Sequence, residues 1–448
     1  MGEGDMEEKW DGNDEAVSRT STAMEAFALL HTLSDDKHMH ELPCFTIKAD
    51  SMLGVAEEYK RAFDALQRIT KRPYWRRIWV VQEIVLPPLA TVVWGSMSAP
   101  WKIFVDATMN FEKHIDGCCL EHNNSPRLYF GTLKAFNSVI TTIESTRIDR
   151  QAAHDLHIFK LLNLYFDREA TVPQDKVYAL YGLVTWQGES RIEPNYKLST
   201  NKFYEDVTLY IINSTKSLHV LIGDCVHHIN LPSWVANWGQ KPKSGIWEWD
   251  ERKYDLIRLN RYSLYAATKT DVTPQTPANS MLNLEEIRVG TIVAASTLIS
   301  FKTWEDQLRM CKQVLSWIKD NERDYVKAFR SPGIWEDFYW RVLCGDIWQL
   351  VETGGIGAHR RIQHEDRGAF KLWKEVVLDD RQRTRALQSA NDNARFQCFH
   401  QSVCGAIANR KFFYDSRRQP RTGTKCIASW GRSLCCQRFK CSLYSEES

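Results

Sequence analysis

Long apolar runs, a secretory leader and a strong net charge are all missing from this 448-residue sequence. No stretch of about 18 apolar residues occurs, so the sequence predicts no transmembrane helix. Residues 1–17 are acidic and polar, without the basic start and apolar centre of a secretory signal. The 58 basic and 56 acidic residues leave a formal charge of +2, which gives no reason to expect binding to nucleic acid or to a membrane. These absences predict a soluble, cytoplasmic protein.

Cysteine is too sparse for a disulfide scaffold, since the chain contains 12. In a reducing compartment we expect these to be free thiols. Half of them lie between Cys398 and Cys441, in a stretch without the C-x-x-C spacing of a zinc site. We therefore predict no metal and no cofactor.

Two other groups of polar residues resemble ligand or nucleophile sets only loosely. One group lies in a polar stretch and is better interpreted as solvated histidines than as a metal cluster; it comprises His31, His38, His40, Glu41 and Cys44. The second group lacks an identifiable acidic partner for a nucleophile and comprises Cys118, Cys119 and His122.

Helical periodicity covers more of the chain than strand-like alternation does. Amphipathic helices are predicted at 22–33, 54–70, 156–166, 175–184, 199–213, 304–318 and 335–351. The helix at 199–213 is expected to have Ser199 or Thr200 as its N-cap. Most of the 17 tryptophans lie at helical or strand spacing and are expected to be core residues. Strands are predicted at 218–223, 233–238, 261–268 and 287–297. The pattern therefore indicates an α+β fold, mixed and helix-rich, whose part after residue 300 is mainly helical.

The segment "YWRRIWVVQEIVLPPLATVVWG", residues 74–95, carries the densest group of candidate functional residues. Pro73 suits the first turn of a helix, and Trp75, Trp79 and Glu83 share one face of that helix through Val85. The β-branched run at 91–94 predicts a buried strand. A further helix is then expected to begin at 98–100, with a serine as its N-cap.

This segment resembles the signature W-x-R-x-W-x-x-Q-E of the fungal heterokaryon incompatibility (HET) domain family. The matching residues are Trp75, Arg77, Trp79, Gln82 and Glu83.

Three later segments are similar to elements that follow the signature in HET proteins. "DKVYALYGLV" matches through Asp175, Lys176, Tyr178 and Gly182. "IEPNYKLSTNKFYEDVTLYII" resembles an I-x-P-D-Y element and the helix that follows it, with Asn195 in place of the usual aspartate. "LPSWVANW" resembles L-P-S-W-V-x-D-W through Pro232, Trp234 and Trp238.

The resemblance implies an incomplete domain, because the strand and the S-Y-x-W-G and C-I-N-Q segments that normally open the family are not found. On this basis we expect residues 1–20 to be disordered and 21–97 to be the C-terminal half of a TIR-like HET domain. We then expect an α+β region at 98–300, a helical region at 301–415 and an irregular, basic, cysteine-rich tail at 416–448.

The family's distant similarity to TIR domains raises the question of catalysis. NAD-cleaving TIR domains carry a W-x-x-x-E helix with a catalytic glutamate, and Trp79 and Glu83 have that spacing. A desolvated glutamate beside aromatic rings has a raised pKa and is able to hold a ribose hydroxyl while nicotinamide leaves. The resemblance thus makes Glu83 the catalytic candidate, supported by Trp79, with NAD as a substrate.

A structural role for Glu83 is the alternative, in which the carboxylate bonds a backbone amide or Arg77. Nucleotide pockets of open α/β sheets form at the carboxyl ends of strands, and those strands are among the missing segments. The structural interpretation is therefore favoured over an enzymatic one, and NAD hydrolysis is the activity to test if the chain is an enzyme.

The resemblance implies a role in fungal non-self recognition after hyphal fusion, ending in growth arrest or programmed cell death. An incomplete domain is expected to be inactive or regulatory. Two alternatives remain: an NAD-cleaving effector that uses Glu83, and a binding scaffold for full-length HET proteins. The expected partners are other incompatibility proteins, and the sequence does not give the oligomeric state.

Overall fold

The computed structural model divides into two units by its internal contacts. Unit 1 comprises Met1–Glu189 with Thr353–Gly355, and unit 2 comprises Ser190–Glu352 with Ile356–Ser448. The structure describes residues 14–47, 53–114, 119, 127–186, 192–222, 231–232, 234–239, 281–282, 292–300, 304–321, 332–349, 359–379, 389–408, 410–411 and 413–415.

The predicted α+β, helix-rich class is confirmed. Every sheet in the described ranges consists of two antiparallel strands. None of the helices in those ranges has the length and apolar character needed to cross a membrane.

Unit 1 is built from seven α-helices and two β-hairpins within its described residues. The helices are α1 Asp14–Leu33, α2 Lys60–Thr70, α3 Val80–Val85, α4 Trp101–Lys113, α5 Arg127–Gln151, α6 Ile158–Leu164 and α7 Asp175–Tyr178. The strands are β1 Phe45–Ile47, β2 Leu53–Val55, β3 Thr91–Trp94 and β4 Met97–Pro100, paired β1 with β2 and β3 with β4.

An aromatic core joins the helices of unit 1. Helix α1 packs against α2 and α4, and α4 packs against α5. Phe104 of α4 lies at the centre, with its ring 5.9 Å from Phe27 of α1 and 6.0 Å from Phe136 of α5. All three side chains are buried, so this contact removes a large apolar area from water.

The start of α1 differs from the prediction. The helix begins at Asp14, inside the segment expected to be disordered, instead of near Ser21 and Thr22. Its later residues Ala26, Leu29 and Leu30 are fully buried. Packing of that face extends the helix beyond what the charged and polar residues before it indicate.

The hairpin after α3 also corrects two predictions. Residues 91–94 do form strand β3, but the strand is not buried, and Val93 is 67% exposed. The next residues pair with it as β4, so Ser98 is in a strand and does not cap a helix. Helix α4 begins at Trp101, with Pro100 as its N-cap. The predicted boundary after residue 97 lies within β4.

Unit 2 is mainly helical in its described residues after 300, as the sequence indicates. Its helices are α8 Thr200–Thr215, α9 Trp304–Asp320, α10 Pro332–Leu343, α11 Arg367–Leu378 and α12 Ala390–Ile407. Its strands are β5 Ile292–Ala295, β6 Ile347–Gln349, β7 His359–Arg361 and β8 Phe413–Asp415, paired β5 with β8 and β6 with β7.

A second aromatic core holds the helices of unit 2. Phe370 of α11 packs against Trp340 of α10 and Phe399 of α12, with ring centroids 5.9 Å apart in both pairs. Trp373 lies 5.6 Å from Phe399. These side chains are fully buried. The tryptophans here are core residues, as their helical spacing predicts.

Several local predictions for unit 2 have clear outcomes. The N-cap at Ser199 is confirmed, since its hydroxyl accepts a hydrogen bond from the Lys202 amide at 3.3 Å. The predicted strand at 218–223 is instead a short 3-10 helix, His219–Ile222, and residues 234–239 form turns instead of a strand. The predicted helix at 335–351 ends at Leu343 and is followed by β6. The predictions for 261–268 and 416–448 lie outside the described residues.

A buried arginine supports the end of α3, where two prolines stop the helix. The Arg147 guanidinium donates to the carbonyl oxygens of Ile84 at 2.5 Å, Pro87 at 2.8 Å and Pro88 at 2.5 Å. Arg147 is 7% exposed. Carbonyls at a helix end lack partners within the helix, so one side chain of α5 satisfies the carbonyl of Ile84 in the last turn of α3 together with two carbonyls of the turn that follows.

We expect Arg147→Met to lower the free energy of unfolding by about 2 kcal/mol or more, because buried carbonyls lose charged donors. Urea unfolding followed by circular dichroism measures the change. Arg61→Met, at an exposed position of α2, is the control and should change stability by less than about 0.5 kcal/mol. Equal effects of the two substitutions would contradict the capping role.

Candidate functional site

The signature segment is two short helices and not the single continuous helix that its spacing predicts. A 3-10 helix spans Pro73–Arg76, Arg77 has an extended backbone with ψ 133°, and α3 begins at Val80. The signature residues therefore do not share one helical face. The prediction of a common face for Trp75, Trp79 and Glu83 is wrong.

The break at Arg77 results from pairing with a distant part of the chain. Arg77 forms a parallel bridge with Glu169. The amide of Ile78 donates to the Glu169 carbonyl at 2.9 Å, and the Glu169 amide donates to the Arg76 carbonyl at 2.5 Å. An extended residue at this point exposes the backbone groups that these bonds need, so tertiary pairing overrides the local helical tendency.

Trp75 is a core residue. It is 4% exposed, and its ring lies 6.4 Å from both Trp101 and Phe104 of α4. Trp75 thus anchors the 3-10 helix to the aromatic core of unit 1.

Trp79 and Gln82 connect the signature to the second matching segment. The indole N–H of Trp79 donates to the Asp175 carboxylate at 3.2 Å. A Cβ atom placed on Gly182 would lie 3.2 Å from Nε2 of Gln82, so glycine permits a close approach here. The structure therefore brings together two segments that the sequence separates by about ninety residues.

Two buried cations hold the same junction. Lys176, 5% exposed, donates through Nζ to the carbonyls of Phe166, at 2.5 Å, and Arg168. Arg168, also 5% exposed, donates to the carbonyl of Trp75. A buried charge is tolerated only where strong hydrogen bonds compensate its lost hydration. The two cations therefore form a bridge from α7 through residue 168 to the signature; we call these contacts the Lys176–Arg168 bridge.

Tyr178, the remaining matching residue of α7, packs in the same region. It is 5% exposed, and its ring lies edge-on to Tyr181 at 5.2 Å.

Glu83 lies outside this buried junction. It is exposed, and its carboxylate accepts a hydrogen bond from the Tyr74 hydroxyl at 2.9 Å. Burial, and then the bond to Glu83, raise the pKa of Tyr74 to about 12. The Glu83 carboxylate thus bonds a phenol. The structural interpretation of the sequence expected it to bond a backbone amide or Arg77 instead.

The third and fourth matching segments meet in unit 2. The Thr208 hydroxyl of α8 accepts from the Ala236 amide at 3.3 Å. A Cβ atom on Gly239 would lie 2.8 Å from the Tyr204 hydroxyl oxygen, so a side chain does not fit there. Nearby, Pro232 is half-buried, and two tryptophans of the segment are buried, Trp234 and Trp238.

Comparison of the chain with protein-family models, with curated proteins and with solved structures finds no match.

Two groups of histidine and cysteine lie together that sequence spacing does not group. The first consists of His38, His114 and Cys119 in unit 1. The second consists of Cys311, His400 and Cys404 in unit 2. Part of each group is close in the sequence: Cys119 follows His114 by five residues, and Cys404 follows His400 by four. Such spacings are common in helices and at helix ends, so they do not by themselves indicate a site.

The second group is a hydrogen-bonded core. The Trp373 indole donates to Nδ1 of His400 at 3.1 Å, and Nε2 lies 3.0 Å from the Gln307 amide oxygen. Because an indole only donates, Nδ1 must accept and Nε2 must carry the ring proton. Burial lowers the pKa of His400 to about 3. His400 therefore stays neutral, with Nε2 engaged as a donor and not available as a metal ligand.

We expect a double-mutant cycle of Trp79→Phe and Asp175→Ala to give a coupling energy of about 1 kcal/mol or more, since each change removes one partner of the same bond. Urea unfolding of the four proteins measures it. Glu83→Gln, at an exposed position, is expected to change stability by less than about 0.5 kcal/mol. Strict additivity in the cycle would contradict the proposed contact.

We expect His400 to remain a neutral Nε2–H tautomer at pH 5, well above the pKa of about 3. Long-range 1H–15N correlation spectra of 15N-histidine-labelled protein, with His400→Gln to assign the signal, report the ring state. Detection of a doubly protonated His400 ring at pH 5 would show that the Trp373 hydrogen bond is wrongly assigned.

Proposed function

We propose that this chain is a cytoplasmic HET-family protein that acts in fungal non-self recognition as a regulator of programmed cell death. In this proposal the chain binds other incompatibility proteins and does not itself cleave NAD. In this proposal its signature residues serve to build the fold of unit 1.

One observation carries the proposal: the four segments that resemble HET proteins contact each other in pairs. Trp79 bonds Asp175 and Gln82 packs beside Gly182, while α8 bonds the 234–239 segment through Thr208. A chance likeness of unrelated peptides gives no reason for matching positions such as Trp79 and Asp175, or Gln82 and Gly182, to be each other's partners. Mutual contact of these positions supports a shared fold with the family.

The surroundings of Glu83 support a regulatory role over a catalytic one. A catalytic glutamate of the expected kind is desolvated in a pocket, whereas Glu83 is exposed on a six-residue helix and bonded to Tyr74. The described residues also contain no parallel sheet whose strand ends would bind a nucleotide.

Nicotinamide release from NAD by the purified chain separates the two roles. We expect no release above the level of the Glu83→Ala variant, with Glu58→Ala as a control at another exposed glutamate. Release that Glu83→Ala abolishes and Glu58→Ala retains would overturn the regulatory proposal in favour of an NAD-cleaving effector.

The recognition role itself is tested in fungal cells. We expect expression of the chain to alter the fraction of fusion cells that die when strains with an intact, incompatible HET protein meet. We also expect the chain to co-purify with that protein. Vital-dye counts and affinity purification measure both effects. Unchanged cell death together with no co-purification would contradict the proposal.

A further inference from the structure

Four polar side chains converge where the ends of α1 and α4 meet in unit 1. Asp36 and His38 follow α1, while His114 and Cys119 follow α4. One ring nitrogen of each histidine and Sγ of Cys119 all lie within 4.8 Å of one another. His38 and Cys119 are 81 residues apart in the sequence, so this grouping is a product of the fold.

Cys44 does not belong to the group. Its side chain is fully buried, and burial raises the pKa of its thiol to about 12. A thiol must lose its proton to bind a metal ion, so this environment disfavours Cys44 as a ligand.

The spacing of the three ligand atoms suits a small tetrahedral ion. Sγ of Cys119 lies 3.7 Å from Nδ1 of His38. Zinc bonds of about 2.3 Å to sulfur and 2.0 to 2.1 Å to nitrogen place tetrahedral ligand atoms roughly 3.3 to 3.8 Å apart. Ligand atoms within 4.8 Å therefore reach that geometry after small side-chain movements.

A histidine that binds a metal through one ring nitrogen usually donates a hydrogen bond from the other nitrogen to a carboxylate or carbonyl. Asp36 is the carboxylate beside His114. Its Oδ1 lies 2.9 Å from Nε2 of His114, and Lys113 bonds the same carboxylate at 2.6 and 2.8 Å. A carboxylate oxygen at this distance is an acceptor for the Nε2 proton, which would leave Nδ1 of His114 as the ligand atom in the site proposed below. A carboxylate that fixes one ring nitrogen in this way orients the histidine toward a metal.

The group differs in this respect from Cys311, His400 and Cys404. There the outer partner of His400 is the Trp373 indole, a donor, which forces the proton onto the nitrogen that faces the cysteine. At His114 the outer partner is an acceptor. Of the two groups found among the described residues, the unit 1 group is therefore the one in which the partner of a histidine accepts a proton.

We propose that His38, His114 and Cys119 bind one Zn²⁺ ion, with Asp36 as the positioning residue for His114 and a water molecule as the fourth ligand. The Cys119 thiol releases its proton to solvent when the ion binds. Nitrogen and sulfur ligands of this kind match zinc better than magnesium or calcium, which prefer oxygen. The ion links the end of α1 to the end of α4, and the proposal does not depend on the HET assignment.

Zinc content and Co²⁺ substitution of the purified full chain test the site. We expect Cys119→Ser and His38→Gln each to lose one bound ion relative to the parent protein, and Cys119→Ser to lose the sulfur-to-cobalt absorption as well. The matched controls are Cys398→Ser and His31→Gln, which are expected to retain both. Zinc content that is unchanged in Cys119→Ser and His38→Gln, or that falls only in Cys404→Ser, would overturn the proposal.

Asp36 gives a test that does not remove a ligand or a buried group. We expect Asp36→Asn to weaken zinc binding roughly 10- to 100-fold in a titration against a chromophoric chelator. Asp35→Asn, at the neighbouring exposed aspartate that pairs with Lys37, is the matched control and should leave the affinity unchanged. Equal affinities of Asp36→Asn and the parent would contradict the positioning role of Asp36.

Discussion

The ammonium group of Lys176 lies where little water reaches it, and a charge in such a place must have its hydrogen-bond donors occupied. Two backbone carbonyls, of Phe166 and Arg168, accept from it. The side chain of Arg168 in turn donates to the carbonyl of Trp75. Because a residue such as methionine at position 176 would remove the donor that both carbonyls share, the loop before α7 and the signature segment hold each other in place.

This constraint explains the signature as a set of packing and bonding positions. Trp75 fills the aromatic core, and Trp79 bonds Asp175 beside the Lys176–Arg168 bridge. Glu83 is exposed, as is Arg77, and its carboxylate accepts a hydrogen bond from the Tyr74 hydroxyl. The positions of these residues are thus explained by the packing and hydrogen bonds that they supply to the fold, and a motif of this kind does not by itself give a function.

Features set by nearby residues were predictable from the sequence, and features set by distant partners were not. The Ser199 cap and the helix after it depend on residues within one turn, and both are confirmed. The extended backbone at Arg77 depends on its pairing with Glu169, so helical spacing alone wrongly predicted a continuous helix there. Residues 234–238 of the predicted strand form turns, since periodicity alone does not settle the structure of a short apolar run. His38, His114 and Cys119 meet only through the packing of α1 on α4.

The central claim is that residues 73–85 and 166–183 form one cooperative unit held by the Lys176–Arg168 bridge. Hydrogen exchange followed by mass spectrometry tests it most directly, with Lys176→Ala compared with the parent protein. The account predicts that amides in both segments lose protection together and by the same factor, while peptides of unit 2 do not change. Faster exchange confined to the residues around position 176, with 73–85 as protected as before, would contradict it.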